Sequence, residues 1–213
     1  MPEIVKTTVY QIHELDAGAK DVARAWYRSV AFVDDWHEFV IEDFCAICAI
    51  LGVDLKTRAV RLMGGGTLQE PCVWFSGFWS QGDGACFEGR YTHRRGAAKT
   101  IRRYVPQDGE LHRIADALQA TQARNFYQLA ARIRHHGRYS HEYSMAIDVE
   151  RNSPNVRAIS ADAENALIEA LRDLARWLYR QLEREYLFQS SDESVDEAIA
   201  ANGYSFTQIG RRF

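Results

Sequence analysis

Cationic side chains dominate one stretch of this sequence. Six Lys and Arg residues fall within the fifteen positions from Arg90 to Tyr104, and no Asp or Glu lies among them. Guanidinium and ammonium groups at that density can hold phosphates or the carboxylates of another protein. Arg94 and Arg95 close an expected strand. Lys99, Arg102 and Arg103 fall in an expected short helix, whose four-residue spacing sets Lys99 and Arg103 on one face. Tyr91 and Tyr104 flank the run, so it reads as a partner-binding surface for an acidic protein or a nucleic acid; a solvated charged face is the alternative.

The opposite charge gathers between Asp34 and Asp43. Asp34, Asp35, Glu38, Glu42 and Asp43 make five carboxylates with no Lys or Arg among them. Asp34 and Asp35 stand where a helix N-terminus favours negative charge, and Glu38 and Glu42 fall on the outer face of that helix. This is either a solvated face or an acidic docking surface. A third candidate is the loop Ser80-Gln81-Gly82-Asp83-Gly84, in which Gln81 and Asp83 are the polar groups. Asp83 can close its own turn between two glycines, which is the simpler reading, or present its carboxylate to a partner.

Acid–base chemistry would need Asp83, Glu88, His93, His112 or Glu142, which are scattered along the chain. No Ser-His-Asp spacing and no dinucleotide fingerprint accompanies them. Gly64-Gly65-Gly66 follows an expected strand but lacks the Gly-Lys-Ser/Thr of a phosphate loop. Cys45 and Cys48 have the spacing of a redox or zinc pair, but they sit in an apolar helical pattern with no second pair to complete a site. Cys45, Cys48, Cys72 and Cys86 are therefore read as reduced structural thiols. His135, His136 and His141 cluster near Glu142 at a hairpin tip. No catalytic residue, metal ligand or cofactor is expected.

The elements that position these groups read as α+β: an antiparallel sheet of about six strands covered by five or six helices, in a single domain over residues 1–213. Strands are expected at 4–12, 53–63, 73–79, 85–91, 126–134 and 139–150, with a final edge at 204–207. Helices are expected after Asp16, from Asp34 to Leu51, around 99–103, and over 108–122, 161–188 and 192–201. The hairpin from Val73 to Tyr91 stands at the centre, with Phe75, Trp79 and Phe87 as its core anchors.

That hairpin also carries a family resemblance. Its F-S-G-F-W-S-Q-G-D-G-A-C-F-E-G is similar to the signature of small phage and prophage proteins labelled antitoxins of a toxin–antitoxin stability system. R-L-M-G-G-G-T before it, and V-P-Q-D-G-E-L-H-R-I-A-D-A-L-Q-A, A-L-R-D-L-A-R-W-L-Y-R-Q-L-E-R-E-Y and N-G-Y-S-F-T after it, extend the likeness over nearly the whole chain. The resemblance implies a protein that neutralises a partner, a toxin or a host defence component such as CRISPR machinery. It carries no catalytic or binding residues onto these positions.

Composition agrees with a folded, non-membrane chain. Hydrophobic residues make up 46% and charged residues 26%, and the net charge of −3 is far from that of a polyanion binder or an acidic DNA mimic. The longest apolar run, Cys45 to Leu51, is much shorter than a membrane span, and residues 1–7 show no signal-peptide pattern; a cytoplasmic location is expected. Taken together, the sequence predicts a non-enzymatic binding protein with a protein partner. The alternatives are a nucleic-acid-binding regulator using residues 90–103, or an enzyme with its site near the Gly-Asp-Gly loop.

Overall fold

A computed structural model describes residues 7–32, 35–152 and 158–213. Contacts within the chain gather in two compact units, Met1–Glu38 with Arg184–Phe213, and Phe39–Glu183.

In the larger unit, α2 (Glu38–Leu51) leads into β1 (Val53–Leu55), β2 (Thr57–Arg61), β3 (Thr67–Pro71), β4 (Val73–Phe75), β5 (Ala85–Phe87) and β6 (Gly89–Thr92). Then come α3 (Ala97–Tyr104), α4 (Gly109–Arg124), β7 (Leu129–His135), β8 (Met145–Arg151) and α5 (Ala161–Gln189). The α+β expectation holds, but the single sheet of about six strands does not. The described strands form a four-stranded antiparallel sheet in the order β1-β6-β7-β8, and two separate two-stranded sheets, β2-β3 and β4-β5.

The division has a local cause at Lys56, Cys72 and Glu88. The Lys56 N–H donates to the Glu88 carbonyl (2.9 Å), Glu88 N–H to the Cys72 carbonyl (2.9 Å), and Cys72 N–H to the Lys56 carbonyl (2.7 Å). Three extended segments thus meet in a closed ring of backbone bonds, and each changes partner there. Residues before Lys56 pair with β6 and those after it with β3, while β4 is left to pair with β5. Strand propensity is the same on both sides of each junction residue, so nothing in the alternation marks the exchange. The Lys56 ammonium also meets the Glu88 carboxylate at 2.6 Å, and Glu88 accepts the His135 N–H at 3.1 Å, which ties the ring to β7.

The central hairpin is shorter than expected. β4 ends at Phe75, and Trp79 lies in the following loop with 72% of its surface exposed, so it is no core anchor. The loop backbone leaves the ladder because other partners take it: the Tyr179 hydroxyl donates to the Gly77 carbonyl, and Asp83 accepts from the Trp79 and Ser80 N–H groups. Phe87 is fully buried against Phe44, with ring centroids 5.4 Å apart, while Phe75 is half-buried. Gly52 ends α2 at φ +90°, where a Cβ would stand 2.2 Å from the Thr92 carbonyl oxygen; only glycine admits the β6 backbone this close.

In the smaller unit, Asp16 caps α1 (Ala17–Trp26) by accepting the Ala19 N–H at 2.8 Å. Ala19 and Ala23 of α1 are buried with Ile12, Leu15, Tyr27 and Phe206, and with Val195 and Ile199 of α6 (Asp192–Ala201). Arg24 closes this core from outside, holding Asp196 through two bonds of 2.7 Å. The strand expected over 4–12 falls partly outside the described residues; in the remainder Tyr10 makes a single bridge to Phe206 and a 3-10 turn follows at Ile12–Glu14.

Candidate partner-binding surface

The five cations singled out by the sequence separate into two roles. Arg94 donates to the Ala49 carbonyl near the C-terminus of α2, where a cation complements the helix dipole and satisfies a terminal carbonyl. Arg102 donates to the Ala98 carbonyl at 3.1 Å and pairs with Asp116 of α4 at 2.6 Å, joining α3 to α4. These two hold the fold together. Arg95, Lys99 and Arg103 are exposed and have no ion-pair partner among the described residues. Ala98 and Ile101 turn the opposite side of α3 into the core, so the free cations point to solvent.

The flanking tyrosines have other duties. Tyr91 is buried, with its hydroxyl pushed up to about 12 by that burial, and Tyr104 donates to Asp43 at 2.7 Å. The exposed aromatic surface comes instead from residues the sequence placed in a strand. Phe126 and Tyr127 do not join β7. They sit at φ 58° and φ 60°, the two non-glycine residues in the left-handed region among those described, and are 68% and 54% exposed. Bulky side chains avoid this region, at a cost of order 1–3 kcal/mol each. Tyr127 lies against His93, with centroids 4.6 Å apart, and His93 directly precedes Arg94 and Arg95. Partial burial lowers the His93 pKa, because it penalises the charged imidazolium.

Buried hydrogen bonds hold that turn in place. Gln122, fully buried at the end of α4, donates to the Leu129 carbonyl (2.7 Å) and the Tyr91 hydroxyl (3.4 Å) and accepts the Leu129 N–H (3.2 Å). Its own carbonyl accepts the Tyr127 N–H at 2.8 Å. Asn125 donates to the Thr121 carbonyl (2.9 Å) and accepts from Arg151 (2.8 Å). Thr121, Gln122 and Asn125 are the buried polar residues of the described chain, and all three lie at this one turn. The sequence carried a signal for them: Thr121, Gln122 and Asn125 are polar positions on the inward side of a helix end.

The acidic candidates are less convergent. Asp34 lies outside the described residues. Asp35, Glu38 and Glu42 are exposed, with Glu38 and Glu42 one turn apart on α2. In the Gly-Asp-Gly loop, Gln81 is exposed, while one oxygen of Asp83 accepts from Trp79 N–H (3.1 Å) and Ser80 N–H (2.7 Å), the turn-closing role.

Among the groups considered for catalysis, His112 is bonded to the Val105 carbonyl at 2.8 Å. Glu142 is held by Arg176 (2.9 Å) and His141 (3.1 Å), and Arg176 in turn binds Asp173 at 2.6 Å. Glu88 is drawn down in pKa chiefly by its bond to Lys56. Cys86 lies beside this region, but burial pushes its thiol up to about 11, which opposes the thiolate a nucleophile would need. Cys48 and Cys72 are also buried and Cys45 is half-buried. Among the described residues, no group of three His, Cys, Asp or Glu side chains converges as a metal site would require. None of the described helices is long and apolar enough to cross a membrane.

Compared with known proteins, residues 36–192 match the model of DUF8835, a domain of unknown function. No curated protein and no solved structure matches the chain.

Proposed function

The chain belongs to the DUF8835 family, and we propose that it is a non-enzymatic binding protein that docks an acidic protein surface on Phe126, Tyr127 and the neighbouring cations. The observation that carries this reading is the turn at Phe126 and Tyr127, where two exposed aromatics are kept in a disfavoured conformation by the buried polar side chains. Aromatic and Arg side chains are the types most often found at binding hot spots. Arg95, Lys99 and Arg103 are exposed cations on the segment that follows His93, the ring against which Tyr127 lies, and would steer a partner carrying carboxylates. Catalysis is disfavoured because Asp83, Glu88, His112 and Glu142, carboxylates and an imidazole suited to proton transfer, are engaged in structural bonds. The resemblance of the central hairpin to phage antitoxins suggests the kind of partner: a toxin, or a component of a host defence complex such as CRISPR machinery.

Exposed aromatics together with exposed, unpaired cations also suit single-stranded nucleic acid, which stacks its bases and releases counterions on binding. Fluorescence titration of labelled single-stranded and duplex DNA and RNA at two salt concentrations separates the two. Weak binding to all four supports a protein partner. Tight binding that falls steeply with salt, and is abolished by replacing Arg95, Lys99 and Arg103 with Ala, would establish the nucleic-acid reading instead.

A further inference from the structure

The β2–β3 ribbon is the most solvent-exposed structure in the larger unit. From Lys56 to Gln69 every residue is exposed except the half-buried Val60, on both faces of the ribbon. A two-stranded ribbon with neither face covered is marginal in water, and its open edges present unpaired backbone groups. Here the two edges differ. The register pairs Thr57 with Pro71, Ala59 with Gln69 and Arg61 with Thr67. Bonds at the two ends of the ribbon, Cys72 N–H to the Lys56 carbonyl and Leu62 N–H to the Gly66 carbonyl, set the alternation, so residues 58 and 60 bond to β3. Thr57, Ala59 and Arg61 therefore turn their N–H and carbonyl groups outward from β2. On β3 the outward set is Thr67, Gln69 and Pro71, and Pro71 has no N–H to offer.

We infer that β2 is a self-association edge, which pairs antiparallel with β2 of a second copy of this chain about a two-fold axis at Ala59. In that register Ala59 faces its own copy and Thr57 faces Arg61 of the other chain, so all three outward donors meet outward carbonyls, about six bonds at three residue pairs. Arg58 falls opposite Val60, so no cation lies directly against another. Of the three cations flanking the axis, Lys56 is paired with Glu88 at 2.6 Å and Arg58 with Glu70 at 3.1 Å within each chain, and Arg61 falls opposite Thr57, so like-with-like pairing sets no cation against another. The small Ala59 side chain permits close approach at the axis. On one face of the resulting four-stranded sheet Val60, which already lies beside Leu68 within its own chain, falls diagonal to Val60 of the other chain, within reach of an apolar contact.

Sedimentation velocity over roughly 1–200 µM tests this on the intact chain, with self-association weakened at least about ten-fold by Ala59→Pro. The Ala59 N–H points away from β3, so proline there removes no bond within the ribbon and leaves the melting curve unchanged. A bonded antiparallel pair places its Cα atoms about 5.5 Å apart, the spacing of a disulfide, so oxidised Ala59→Cys gives a covalent dimer and Gln69→Cys on the other edge does not. A parent chain that is monomeric throughout, a dimer that survives Ala59→Pro, or a crosslink through Gln69→Cys in place of Ala59→Cys would each overturn the inference. A monomeric parent would leave the edge to a strand of another protein.

Discussion

Two surface segments of the larger unit look alike in sequence and behave differently. The loop from Ser76 to Gly84 and the turn from Asn125 to Gln128 each join polar residues to two neighbouring aromatics, Phe78 and Trp79 in one, Phe126 and Tyr127 in the other. In the loop, the Asp83 carboxylate closes on the loop's own N–H groups, and Trp79 is exposed without a left-handed backbone. In the turn, the polar side chains are buried beneath it and the aromatics are held outward against their conformational preference. Exposure alone says little, because many proteins expose aromatic surface. Exposure maintained at a conformational cost, by groups that could otherwise have been apolar, is a stronger pointer to function.

The difference can be broken from the inside. Gln122→Ala removes the partners of the Leu129 N–H and carbonyl and of the Tyr91 hydroxyl, all within the core. Each unsatisfied buried group costs about 1–3 kcal/mol, and with some rearrangement the expected loss is about 3 kcal/mol. For a chain of this size, calorimetry should read a fall of roughly 6–12 °C in the melting midpoint. A midpoint within a degree of the parent would mean the turn holds itself without Gln122.

Asp83→Ala is the matching change in the other segment. The N–H groups it frees are near solvent, so the expected loss is about 1 kcal/mol, the scale of a helix or turn cap. Urea unfolding of the two variants side by side should rank Gln122→Ala clearly below Asp83→Ala. The reverse order would erase the distinction drawn between the segments.

The smallest effect belongs to the strand junction. The Glu88 carboxyl is held below its unfolded value, so its contribution is complete above about pH 4.3 and fades as pH falls through the folded value. Lys56 is largely exposed, so solvent screening keeps the contribution of the pair small. Glu88→Gln should therefore melt slightly below the parent at pH 7, and the two curves should converge toward pH 3. A gap that widens on acidification would reverse the sign assigned to Glu88.

Much of the helical framework was legible. Asp16 caps the helix it precedes, α6 has the expected bounds, and α5 differs from expectation only at its last residue. Helices announce themselves through caps and a 3.6-residue period, both local. The sheet did not, because partner exchange at Lys56, Cys72 and Glu88 depends on residues 16 to 32 positions apart and leaves alternation untouched. Phe126 and Tyr127 were read as strand because aromatics favour strands; only the buried bonds of Gln122 and Asn125 override that preference. Of the basic run, the charge was visible and its division was not. The partners of Arg94 and Arg102, Ala49 and Asp116, lie on other helices.

The central claim is that the turn keeps Phe126 and Tyr127 strained so that a partner can bind them. Glycine accepts the left-handed region freely, so Phe126→Gly removes the strain together with the side chain. Melting of this variant, run beside capture of host proteins on the immobilised chain, tests the claim. The account predicts a midpoint at or above the parent's, by about 1 kcal/mol or roughly 2–4 °C, together with loss of the protein captured by the parent and also lost on replacing Arg95, Lys99 and Arg103 with Glu. A variant that melts several degrees lower and captures the same protein would contradict it.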